Sequence, residues 1–142
     1  MRQDRNVAQA DAWLQYVDTQ VSLAQVISSN AEVWSRGLDG QELSAADQWT
    51  FNQIAVAIDQ KHASRFFRSN IGIRRGPAAD VVVQYAEQLF LYPGLRRFFE
   101  SRRNESFRRS TLPEFDAEVA EYLAKLDAGE VEQPNGNNGQ AF

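Results

Sequence analysis

Six arginines fall between positions 96 and 109: Arg96, Arg97, Arg102, Arg103, Arg108 and Arg109, with Phe98, Phe99 and Phe107 among them. A guanidinium is planar, permanently charged and able to grip carboxylates or phosphates through two parallel hydrogen bonds. Aromatic rings set between such groups can stack on bases or insert among lipid headgroups. The segment is therefore a candidate binding surface for an anionic ligand or partner. The competing reading is that these arginines pair with acidic helices of the same fold.

The wider charge distribution bears on both readings. The 142-residue chain carries 15 basic and 19 acidic side chains, a net charge of −4. Between Lys61 and Arg109 the balance is +7, and the remainder of the chain stands at −11. An isoelectric point near 5.0 argues against nucleic acid, because counterion release rewards a net positive field.

Catalytic chemistry has little to work with. There is no cysteine, which removes thiol nucleophiles, disulfides, zinc fingers and iron–sulfur clusters. His62 is the only imidazole, and neither Glu-x-x-His nor His-Glu-x-x-His occurs. Gly72-Ile73-Arg74-Arg75-Gly76 lacks the Lys-Ser/Thr ending of a phosphate-binding loop. Glu114, Glu118 and Glu121 share one helix face and read as a solvated stripe. A hydrolase built on His62 and Asp59 requires the histidine to line an open cleft. The expectation is a protein that is not an enzyme, with no catalytic residues, cofactor, metal or small-molecule substrate.

The elements that position these residues read as helices throughout. Val7, Leu14 and Val21 lie seven apart, as do Ala10, Val17 and Ala24, the seam of an amphipathic or coiled-coil helix over 4–29. Asn30 can cap a short helix, Ala31 to Arg36, that stops at Gly37. Ser44 opens a third helix to about Ser69, with Phe51, Ile54, Ile58 and Phe66 on one face and Trp49, Val56, Ala63 and Phe67 on the opposite face. A helix apolar on two sides is expected to be central, packed between others. Pro77 starts a fourth helix carrying Val82, Tyr85, Ala86 and Leu89. Pro93-Gly94 breaks it, and Pro93 restarts a short fifth with Leu95, Phe98 and Phe99. Thr111-Leu112-Pro113-Glu114 starts a sixth with Phe115, Val119, Tyr122, Leu123 and Leu126.

The expected fold is thus all-α: a compact bundle of five to six helices, with a long N-terminal helix, a central helix 45–69 and a disordered C-terminal tail. One domain covers 1–127, and the tail, rich in Gly, Asn and Gln, covers 128–142. Asp4, Asp11 and Asp18 flank the seam of the first helix, and Lys61, Arg65 and Arg68 flank the apolar face of the third. The two stripes predict that these helices pack side by side. Surface pairs contribute about 0 to 1 kcal/mol each, so they select register more than they stabilise. The longest apolar run, Ile54 to Ile58, is far short of the roughly 20 residues that span a bilayer. No secretory signal follows Met1, which reads as a cytosolic-type start.

Several segments together resemble an uncharacterised family of small bacterial proteins: Asn30-Ala31-Glu32-Val33-Trp34-Ser35-Arg36-Gly37-Leu38, Glu42-Leu43-Ser44, Pro93-Gly94-Leu95-Arg96-Arg97-Phe98-Phe99 and Pro113-Glu114-Phe115. The likeness spans about Arg2 to Leu126. It implies a soluble helical domain placed after an N-terminal membrane anchor that this chain lacks, with Met1 to Asn6 resembling the stretch just beyond the anchor. Arg2 and Arg5 beside such an anchor imply a cytoplasmic location, tethered to the inner membrane. The functional expectation is a non-enzymatic interaction or scaffold module, at the cytoplasmic face of a membrane, with a protein partner or self-association through helix 1. The seam packing on helices 3 and 6 is the competing use of that helix. The alternative function is a binder of nucleic acid or another anionic ligand through the Arg96–Arg109 cluster.

Overall fold

The computed structural model describes residues 21–71, 76–104 and 113–136. Within them six helices follow one another and no strand occurs: α1 (21–29), α2 (Ala31–Leu38), α3 (Ala45–Ile71), α4 (Gly76–Leu91), α5 (Pro93–Asn104) and α6 (Pro113–Ala128). The expected residues 4–20 of the first helix, the Asp4/Asp11/Asp18 stripe, Arg108, Arg109 and the Thr111 cap lie outside the described residues.

Helix ends are set by local chemistry. Ser44 caps α3, its Oγ accepting from the Asp47 amide at 3.2 Å. Asn30 departs from the expected role. Its side-chain amide donates to the Val26 carbonyl at 2.9 Å, closing α1, and no side-chain bond caps α2. Helix α2 runs through Gly37 to Leu38. Gly40, at φ +76°, then makes the turn, with the Gly40 amide on the Gly37 carbonyl and the Gln41 amide on the Arg36 carbonyl. That paired closure needs a left-handed residue, which glycine supplies at little cost. Gly129 ends α6 the same way, at φ +71°. Beyond it, Val131 packs on the core and the Gln133 amide donates to the Leu126 carbonyl at 3.0 Å.

Helix α4 sits at the middle of the assembly, against α3, α5 and α6, while α2 bridges α3 and α5. Its Val81, Tyr85 and Leu89 meet Phe51, Ile54, Ile58 and Phe66 of α3, Leu95 and Phe99 of α5, and Phe115, Val119, Leu123 and Leu126 of α6 in one buried cluster. Each large side chain so buried contributes about 1.5–3 kcal/mol. Trp34 stacks on Phe51 with ring centroids 4.9 Å apart, fastening α2 to α3.

Two expected packings turn out differently. On α3 only the Phe51/Ile54/Ile58/Phe66 face is buried; Trp49 and Phe67 of the opposite face are 65% and 51% exposed. On α1 the core contacts come from Leu23 and Ile27, whereas Val21 and Ala24 of the heptad seam are exposed. The described end of the seam therefore does not pack on α3 and α6. Arg65 of the basic stripe turns instead to α4, donating to Gln84 Oε1 at 3.0 Å. Among the described residues no helix is long and apolar enough to cross a membrane.

Candidate functional site

Inside this apolar core lies a polar cluster contributed by three helices. Asp59 and His62 stand one turn apart on α3, and Tyr85 and Gln88 one turn apart on α4; all four are buried. The Tyr85 hydroxyl donates to Asp59 Oδ1 at 3.0 Å, and Arg102 of α5 donates from Nη1 to Asp59 Oδ2 at 2.9 Å. His62 Nε2 lies 3.1 Å from Gln88 Oε1, and its ring stacks on Tyr85 at 4.7 Å. With Gln88 Oε1 as the acceptor, the proton of this bond is carried by His62 Nε2. His62 Nδ1 and Gln88 Nε2 are buried without a hydrogen-bond partner among the described residues.

Burial dominates the acid–base behaviour of this cluster. It raises the Asp59 carboxyl above its usual range against the opposing pull of Arg102 and the Tyr85 hydroxyl. Burial first, then the Asp59 charge, pushes the Tyr85 phenol well up. His62 is pushed down to about 4 by burial, which outweighs its bond to Gln88. The unfolded chain therefore binds a proton at His62 between pH 6.5 and about 4 that the folded chain refuses. This contribution is fully present above pH 6.5 and is lost as pH falls toward 4. The shift corresponds to roughly 3 kcal/mol. Urea unfolding at successive pH values should show a smaller loss of stability over that interval in His62→Gln than in the native chain.

The arginine run is divided by the fold. Arg96 is closed off: it holds both oxygens of Asp127 on α6, at 2.9 and 2.5 Å, and Glu100 at 3.0 Å. These bonds hold the Asp127 carboxyl below its usual range. Arg102 serves Asp59 and lies 6.0 Å from the Phe98 ring centroid; Arg103 lies over Phe99 at 5.8 Å. Arg97 is exposed and has no ion-pair partner among the described residues. Internal pairing thus accounts for Arg96 and much of Arg102, and Arg97 is left over.

Arg97 and Arg102 meet at a partly open cleft of about 210 Å³ between the α2–α3 turn, the first half of α3, and α5. Its other polar groups are Gln41, Gln48, Asn52 and Ser101, and Phe51 and Phe98 form an apolar wall. No aspartate or glutamate lines it. The positions follow from α5 itself: Arg97 and Ser101 are one helical turn apart, and Phe98 and Arg102 the next pair round. Gln48 and Asn52 are joined by a 2.9 Å bond on α3, which fixes one rim. Asp59 and His62 are not among the walls, so the fold does not bring the histidine to an open cleft as the hydrolase reading requires. Among the described residues no three His, Asp or Glu side chains gather to hold a metal ion.

Sequence reasoning placed Arg97 and Arg102 in one candidate surface but did not find Gln41, Gln48, Asn52 or Ser101. Polar residues spread over 61 positions carry no local signal of convergence. The Asp59–Arg102 bond, across 43 residues, was equally invisible. No protein family, no curated protein and no solved structure matches this chain.

Proposed function

We propose that this chain is a non-enzymatic binding module that takes an anionic group of its partner, a phosphate or carboxylate, in the α2–α3–α5 cleft. One observation carries the reading: an acidic chain has built a cleft with two guanidinium groups, three amides and a hydroxyl, and no carboxylate. Arg97, held apart from carboxylates, retains its donors for a ligand, while Arg102 gives Nη1 to Asp59 and offers the cleft only what that bond leaves over. The volume suits one anionic group rather than a whole nucleotide, since drug-sized ligands occupy roughly 300–1,000 Å³. Closure of Arg96 by Asp127 and Glu100 breaks up the continuous basic track that a polyanion needs, which favours a point contact over nucleic acid. A site at the cytoplasmic face of a membrane, which the family resemblance implies, adds acidic headgroups to the sources of that group.

The test is calorimetric titration with inorganic phosphate and with acetate, against sodium chloride at matched ionic strength. The native chain should bind one anion, and Arg97→Gln should weaken binding by about tenfold or more, the worth of one charge-assisted contact. Arg97 is exposed, so its replacement leaves the fold intact by circular dichroism. Absence of heat beyond that of chloride, or an unchanged affinity in Arg97→Gln, would refute the assignment.

A further inference from the structure

Arg102 belongs to two places at once. It lines the α2–α3–α5 cleft, 6.0 Å from the Phe98 ring, and its Nη1 reaches inward to Asp59 Oδ2 at 2.9 Å. The arginine side chain is 22% exposed and that of the aspartate 9%, so the ion pair runs from the rim of the cleft into the core. A paired carboxylate cancels the charge of its guanidinium. With Asp59 ionised, an anion entering the cleft is drawn mainly by Arg97 and is repelled by the carboxylate behind Arg102.

The two oxygens of Asp59 have different neighbours. The Tyr85 hydroxyl donates to Oδ1 at 3.0 Å, so a proton arriving from water falls to Oδ2, the oxygen that Arg102 holds. That proton removes the charge restraining Nη1 and leaves every donor of the guanidinium to the cleft. The groups around Asp59 are the Tyr85 phenol on α4, Arg102 on α5, the Asp116 charge on α6 and His62 one turn along α3. Burial raises the carboxyl above 3.8, with Asp116 adding to it, against Arg102 and the Tyr85 hydroxyl. An anion beside Arg102 adds one more like charge and raises it further. His62, pushed down to about 4 by burial, charges only in stronger acid.

We propose that Asp59 governs the cleft from inside the core: a proton on its carboxylate releases Arg102 to the anion, so binding strengthens on acidification and each bound anion draws a proton in. This rests on the reading of the cleft as an anion site. It makes Asp59 a positioning residue, acting on the ligand only through Arg102. The coupling is reciprocal, as linkage requires.

Calorimetric titration with sulfate, whose charge does not change between pH 4.5 and pH 7, tests the proposal at constant ionic strength. The affinity of the native chain should rise about fivefold or more over that interval, the lower end of ordinary coupling between sites. Near pH 5, titrations in buffers of different ionisation enthalpy should show proton uptake with each sulfate bound. Asp59→Asn should bind sulfate at pH 7 about fivefold or more tighter than the native chain, with little further change on acidification. His62→Gln should keep the native pH profile. The asparagine keeps the shape of the side chain and an acceptor for Tyr85, and circular dichroism checks its fold; the native profile and proton uptake need no variant. Sulfate binding that neither tightens in acid nor takes up protons would overturn the coupling while leaving the cleft assignment in place. A native profile that persists in Asp59→Asn, or vanishes in His62→Gln, would place the proton on another group and overturn it equally. Absence of sulfate binding at every pH would overturn the cleft assignment and its control together.

Discussion

Gly94→Ala should destabilise this protein by about 3 kcal/mol or more, at the upper end of the cost of overpacking. The sign is the reverse of what helix propensity gives. Gly94 lies in the first turn of α5, where alanine ordinarily gains about 1 kcal/mol over glycine. Here a Cβ would stand 1.7 Å from the Gly37 carbonyl oxygen and 2.8 Å from its carbon. Both obstacles are backbone, so no rotamer relieves them, and α5 must retreat from α2. That retreat would loosen Leu95 and Phe99 from the core and open the cleft between the same two helices. Urea unfolding followed by circular dichroism measures the loss, and a native midpoint in Gly94→Ala would show that the close approach of α5 to α2 is wrong. Gly37 has the matching role on α2, where a Cβ would lie 2.2 Å from the buried Phe51 ring.

Arg102→Met should cost about 3–5 kcal/mol at neutral pH, the penalty for leaving a buried charge without its partner. Asp59 is 6% exposed and keeps only the Tyr85 hydroxyl once the guanidinium is gone. Its carboxyl already titrates above the ordinary value of 3.8, and loss of Arg102 must raise it further. A folded-state value above the unfolded one makes the contribution to stability greatest below pH 3.8 and smaller as pH rises through the folded value. The deficit of Arg102→Met relative to the native chain should therefore shrink on acidification toward pH 4, opposite in direction to the His62 effect. Asp59→Asn in the same chain should recover part of the loss, because an amide needs no counter-charge. Equal deficits at pH 4 and pH 7, with no recovery in the double variant, would mean that the ion pair contributes little.

These effects lie in different strata of legibility. The helices were readable because each depends on a local rhythm and a terminal residue. Ser44 caps α3 where a serine followed three residues on by an acid implied it, and Pro113-Glu114 opens α6 as such pairs do. Phe115, Val119, Leu123 and Leu126 recur at helical spacing, and all are buried. Asn30 misled because an asparagine side chain serves a helix start or the preceding helix end equally well, and geometry chose the latter. Pro93-Gly94 was legible as a break between helices, but glycine there answers to Gly37, 57 residues away in sequence.

Of the candidate site, residue types alone identified a concentration of guanidinium groups, and the fold sorted them. Arg96 met Asp127, Arg102 met Asp59 and Arg97 met neither, because each outcome depends on what α6, α3 and the α2–α3 turn place within a few ångströms of α5. Amino-acid order by itself determined that the chain is helical and which stripes of each helix are apolar, since both are settled by neighbours three and four residues away. Tertiary structure alone decided which of the two apolar stripes on α3 became core and which stayed in water. It likewise decided which charges were neutralised and which line a cleft. A stripe or a charge has no inside until a partner helix arrives, and that meeting is set by distances between residues far apart in the chain.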